Sequence, residues 1–433
     1  KGALNLLDAG TDAYNVAVGF EAGKAITTAI RSTLIGGQAG DSITTGSENT
    51  FIGWTTGAAT TIGNKNVAVG GEAMVTNVAA DCNVAVGLEA LKAMTSAVTA
   101  DTYNTAVGYR AGLSVTSGTT NTLMGALAGD AITTGHHNVA VGYQALGAED
   151  AHGRNTAIGY EALRDQNAGA DAYNTAVGFT AGAAISTGTH NVLLGGLAGD
   201  ALTTGSANIA IGYEALSTED GHSQNVAIGY QALKMLDAGV AGLNVAVGHQ
   251  AGTAVSTGVN NTIVGGLAGD ALTTGSWNVA IGKDALGATD VGAYNVAVGG
   301  QAMLNNVDGS RNTALGYGAL QSMDPASAVD TYNIAVGFNA GLAITTGVQN
   351  TLIGGLAGDA LTTGSENVAL GYLALSTEDT GGRNIAIGLG TLQNLNYNGN
   401  GYNIAIGYEA GNDITTGVRN TIIGSLAGDA LTT

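Results

Sequence analysis

Apolar positions recur along this chain in a five-residue phrase, Asn-x-Ala-x-Gly, which returns every 17 residues except at five longer steps of 19 or 21. With Ser32 in the Asn place there are 24 copies, from Asn15 to Asn420. Numbering each copy from its Asn sorts the sequence into columns. Column two is always β-branched, as at Val16, Thr33, Ile209 and Thr421. Column four is always a non-aromatic apolar residue, as at Val18, Met124 and Leu194, and column five is Gly in all 24 copies. Column eight is Ala in 22, with Thr56 and Thr391 the exceptions. β-Branching and apolar character at alternate positions predict a short strand over columns two to four. The Gly that follows permits a positive φ or a close backbone approach. An Asn at a fixed corner predicts a ladder of side chains bonded from coil to coil, through Asn15, Asn49, Asn104, Asn174, Asn244, Asn333 and Asn403 among others.

The predicted fold class is therefore all-β: a repetitive β-solenoid, a β-roll or β-helix of about 24 coils with a 17-residue period. Residues 1–433 read as one continuous repeat region, falling within the pattern at both ends, as expected of part of something longer. Higher-order blocks of four or five kinds of coil start near residues 15, 104, 174, 244, 333 and 403. The longer steps place insertions at 91–103, 164–173, 233–243, 320–332 and 392–402, which are expected to bulge from the surface.

Column three lies on the opposite strand face from columns two and four. Both faces are apolar. With columns two and four assigned to the coil interior, column three is expected to pack against other copies of the chain. Column three is usually Ala, but Leu34, Leu123, Leu193, Ile263, Leu352 and Ile422 interrupt it at the second kind of coil in each block, and Phe51 does so once more in the first block. The six Leu and Ile residues are expected to fill the axis of a parallel homotrimer, because an exposed apolar stripe is rare on a soluble monomer.

Composition narrows the function. Gly occurs 71 times, Pro once, and aromatic residues make up 5%, which suits many thin cores better than one thick one. The net charge is 13 − 33 = −20. No basic stripe exists for nucleic acid. No apolar run is long enough to insert this segment in a membrane. The single Cys82 allows no internal disulfide.

Candidate chemical motifs are few. The phrase Gly195 to Thr203 resembles one calcium-binding nonapeptide, but Asp130, Asp200, Asp270 and Asp359 lie 70 or 89 residues apart rather than in tandem. They read as turn-forming or solvent-facing. The turns at Glu219-Asp220 and Glu378-Asp379 are expected to be solvated corners, where calcium binding would be weak; no other cofactor is expected. The six His residues share no metal-ligand spacing, and His152 and His222, one block apart, are expected at the surface. No segment isolates a nucleophile from its copies, so no catalytic residue is assigned and the chain is expected not to be an enzyme. Tyr109, Tyr143, Tyr160, Tyr213, Tyr230, Tyr317, Tyr372 and Tyr408 follow the invariant Gly and are expected to pack half-buried between coils.

The phrases Asn104 to Tyr109 (Asn-Thr-Ala-Val-Gly-Tyr) and Asn155 to Leu163 (Asn-Thr-Ala-Ile-Gly-Tyr-Glu-Ala-Leu) resemble two groups of repeats. One is the repeat region of phage tail-fibre proteins. The other is the head of YadA-like trimeric autotransporter adhesins. The 17-residue step here is longer than in either. The resemblance implies homotrimers of β-rolls or β-solenoids and an extracellular setting, on a virion appendage or a cell surface. The expected function is the shaft of a phage tail or appendage fibre, with a bacterial surface adhesin or extracellular filament as the alternative. The expected partners are further copies of the chain, as a homotrimer and end to end, and a host-surface glycan or receptor.

Overall fold

The computed structural model describes residues 2–10, 12–95, 100–325 and 327–433. Among them there is no helix. The chain divides into two compact units, Lys1–Ile211 and Gly212–Thr433, each holding twelve three-residue strands at columns two to four, about 24 coils of parallel β-solenoid in all. Within each unit, every strand pairs parallel and in register with the next. Val16–Val18 lies on Thr33–Ile35 column for column, and Val226–Ile228 lies likewise on Val245–Val247.

The backbone explains why the same columns stack. Hydrogen bonds leave the coil in alternate directions. The column-two N–H of Val16 reaches the following coil at Ser32 O (2.8 Å), whereas the column-five N–H of Gly36 reaches back to Val18 O (2.8 Å). The tight corners of a coil, at columns seven and nine and at the residue before the next Asn, have left-handed φ values near +55°, as at Glu21, Leu91 and Arg31. Non-glycine residues adopt this region at a cost of roughly 1–2 kcal/mol each. Within the stack the corner N–H groups bond to neighbouring coils: Gln38 to Phe20 O (2.7 Å), Leu91 to Ala111 O (3.0 Å), Glu48 to Ile30 O (2.9 Å). Column five is more demanding. Gly178 has φ +148°, and a Cβ there would stand 2.3 Å from Gly195 O. Only Gly fits where the coils approach so closely.

Column three points inward. In every coil but the first it is buried within its own chain, and columns eight and twelve are buried in every coil but the last. This corrects the assignment of Leu34, Leu123, Leu193, Ile263, Leu352 and Ile422 to a trimer axis. The first five are wholly buried in the single chain and Ile422 is 7% exposed. Their size answers a local deficit. Column nine is Leu or Met in some coils and Gly in others, and a large column-three residue occurs only where column nine is Gly. A Cβ on Gly182 would meet Leu193 Cδ1 at 2.6 Å, Leu163 Cδ2 at 3.0 Å and Ile185 Cδ1 at 3.1 Å. Leu193 thus fills the space that Gly182 and Gly199 leave in two adjacent coils, as Ile263 does beside Gly252 and Leu352 beside Gly341. Interior packing at crystal-like density requires such compensation.

The lengthened coils place their middles outside. Residues 167–171 and 237–241 are exposed or half-exposed, but their leading ends stay in the core, where Gln166 and Leu236 are buried. The two longest insertions add small parallel pairs, Ala80–Asp81 with Ala100–Asp101 and Gly309–Ser310 with Val329–Asp330. The predicted bulge at 91–103 includes residues 96–99, which lie outside the described residues.

Candidate functional site

The Asn column closes each coil and joins it to the next. Asn174 Nδ2 donates to Gly188 O of its own coil (2.8 Å), and its Oδ1 accepts the N–H of Asn191 (2.9 Å). Asn104, Asn244, Asn333 and Asn403 repeat both bonds at 2.8–3.0 Å. Asn49 does so with Gly63 and Asn66, and Asn15 with Ala29 and Ser32. The side chains are buried except at the first and last coils, so an unpaired amide would be costly. This column is structural.

The surface carries a different pattern. Because column three turns in, columns two and four turn out, and none of them is buried. Val192, Leu194, Met124 and Leu315 are 40–46% exposed, each in a neighbourhood of identical columns stacked above and below. Each unit therefore presents a β-sheet face whose outward residues are Val, Ile, Leu, Met and Thr. Aromatic columns flank it in sequence. At column six, Tyr143, Tyr160 and Phe179 stack with centroids 5.4 and 5.3 Å apart, and Tyr230 stacks on His249 at 5.3 Å. At the last position of the coils, just before the next Asn, Tyr173 stacks on His190 (5.3 Å), and Arg154, Arg311 and Arg383 lie over tyrosine rings at 5.2–5.6 Å. The column-six tyrosines are about half-exposed, but ring faces within a run are covered by neighbouring rings, which leaves edges outward.

The cations of the surface are largely paired. Glu89 binds both Lys92 (2.6 Å) and Arg110 (2.5 Å), and Lys92 also binds Glu72 (2.6 Å), so the groove beside them offers no uncompensated cation. Those pairings hold the Glu89 carboxyl below its usual range.

The acidic corners differ from expectation. Glu219 and Glu378 are not solvated; with Glu149 they occupy interior column twelve and have no exposed surface. Burial pushes all three carboxyl pKa values up, against backbone N–H bonds that lower them. Their neighbours Asp150 and Asp220 remain exposed. His152 and His222, expected at the surface, are half-buried beside Glu149 and Glu219. Asp130, Asp270 and Asp359 are half-buried, and their pKa values are also raised by burial. The sequence did contain a signal for the buried glutamates: they stand in the column where Ile26, Ile132 and Leu202 occur in other coils.

No family model and no curated protein matches the sequence.

Proposed function

We propose that the chain is the structural shaft of an extracellular fibre, a phage tail or other virion appendage that spaces or presents a host-attachment tip, assembled as a parallel homotrimer. The observation that supports this is the outward apolar face. In all 24 coils columns two and four expose β-branched or aliphatic side chains on a regular sheet. Soluble monomers seldom present an apolar patch above a few hundred Å². An in-register sheet face repeated at every coil suits an equally regular partner, which another copy of the chain supplies. The number three comes from the resemblance to tail-fibre and autotransporter repeats. The mechanical role needs no catalytic group: it needs regular backbone bonding and a face that binds its own kind.

Light scattering on the purified chain at micromolar concentration tests the proposal. A mass of three chains is expected. Leu194→Asp combined with Met124→Asp, both on the outward face, is expected to give folded monomers. A stable wild-type monomer would refute the assembly.

A further inference from the structure

Three coils bury a glutamate at column twelve, and they differ in an informative way. In each, Oε1 accepts the N–H of the residue three positions on: His152 for Glu149 (3.0 Å), His222 for Glu219 (3.0 Å) and Gly381 for Glu378 (2.8 Å). The second oxygen separates them. Glu378 Oε2 accepts the Tyr397 N–H from the next coil at 3.3 Å. Oε2 of Glu149 and of Glu219 is buried with no hydrogen-bond partner. A carboxylate oxygen removed from water without compensation is costly, and such a group is normally paired or bound to a metal. The two coils with the orphaned oxygen are also the two in which column fifteen is His where Glu378 has Gly381.

The imidazoles are turned to these carboxylates. His222 Nδ1 contacts Glu219 Oε1, and Asp237 Oδ1 from the following coil stands 3.8 Å from the same nitrogen. His152 Nδ1 lies 3.7 Å from Glu149 Oε1. One donor atom each from Glu219, Asp220, His222 and Asp237 falls within a 4.8 Å span, and so do those of Glu149, Asp150 and His152.

We propose that Glu219, Asp220, His222 and Asp237 form a binding site for a divalent d-block cation of the zinc class, with Glu149, Asp150 and His152 as a second, weaker copy. The donor set selects the class. One imidazole with carboxylates suits zinc and its neighbours, whereas calcium and magnesium favour oxygen ligands only. Zinc takes four ligands at about 2.0–2.2 Å, which donor atoms gathered within a few ångströms can reach with small movements. The cation would give the orphaned Glu219 oxygen its partner. Because Asp237 belongs to the next coil, it would also clamp two coils together. The ranking of the copies follows from the sequence: column thirteen of the next coil is Asp237 beside the first site and Asn167 beside the second. The Glu378 coil, with Gly381 in place of His and both oxygens paired, is the internal control.

The test is calorimetric titration of Zn²⁺ into the chelator-stripped whole chain, with the visible spectrum of Co²⁺ as a second readout. One tight and one weaker site per chain are expected. His222→Ala removes the tight site and His152→Ala the weaker one. Asp237→Asn, which alters an exposed side chain and leaves the interior untouched, weakens the tight site about tenfold or more. Glu378→Gln changes neither. Absence of stoichiometric Zn²⁺ binding, Zn²⁺ binding unchanged in folded Asp237→Asn and His222→Ala chains, or Ca²⁺ binding tighter than Zn²⁺ would each overturn the proposal.

Discussion

At the scale of single residues, glycine and the left-handed corners set the terms. Gly178 and Gly169 both have positive φ, but they differ in surroundings. A Cβ on Gly178 would collide with the Gly195 carbonyl, whereas one on Gly169 would meet nothing within 4 Å. Gly178→Ala is therefore expected to cost about 2–3 kcal/mol or more, since strain and collision add. Gly169→Ala should cost only the left-handed penalty, about 1 kcal/mol. Chemical denaturation of the two variants side by side measures the difference. Equal losses would show that conformational strain alone, and not stacking distance, demands Gly at column five.

At the scale of the element, the strand is three residues long, and its meaning lies in which face each residue takes. Leu193 and Leu194 are adjacent and chemically alike, yet one is wholly buried and the other 46% exposed. Leu193→Ala opens a cavity shared by two coils and is expected to cost about 2–5 kcal/mol, read as a lower thermal midpoint. Association of the folded chain should be unaffected. Leu194→Asp should leave the folded coil intact and weaken association. The opposite pattern would return column three to an interface between chains.

At the scale of the whole molecule, the carboxylates make stability depend on pH in an unusual direction. Desolvation raises the pKa values of Glu149, Glu219, Glu378, Asp41, Asp130, Asp270 and Asp359. A carboxyl with a raised folded-state pKa contributes stability that is complete below its unfolded pKa and lost as pH rises through the folded one. Glu89, Asp165, Glu214 and Glu366 are lowered by Lys or Arg partners and behave oppositely, losing their contribution as pH falls through their depressed values. The net charge of −20 adds a repulsion that acid relieves. The metal-free chain is thus expected to melt at a higher temperature near pH 5 than near pH 8, and to lose stability only below about pH 4. Thermal melts with chelator present check this. A midpoint that falls steadily from pH 8 to pH 5 would contradict it.

Much of this was written in the sequence. The 17-residue step places every strand, because in-register stacking requires chemically matching residues at equal intervals. The Asn column could be read as a ladder because one side chain type at one corner has one set of backbone neighbours. What the sequence left undecided was the direction in which the strand faces. Alternation has a period of two, and here both phases are apolar, so the pattern carries no inside or outside. The tertiary structure decided it by volume. A 17-residue coil encloses so little space that Ala fits inside at columns three and eight, and the larger β-branched residues must stand outside. The exchange of Leu between columns three and nine was the legible trace of that limit. The buried glutamates were only half legible: Glu219-Asp220 has the composition of a solvated turn, and what set Glu219 apart was its place in column twelve, which is Ile or Leu in other coils; the closed coil shows it turned away from water.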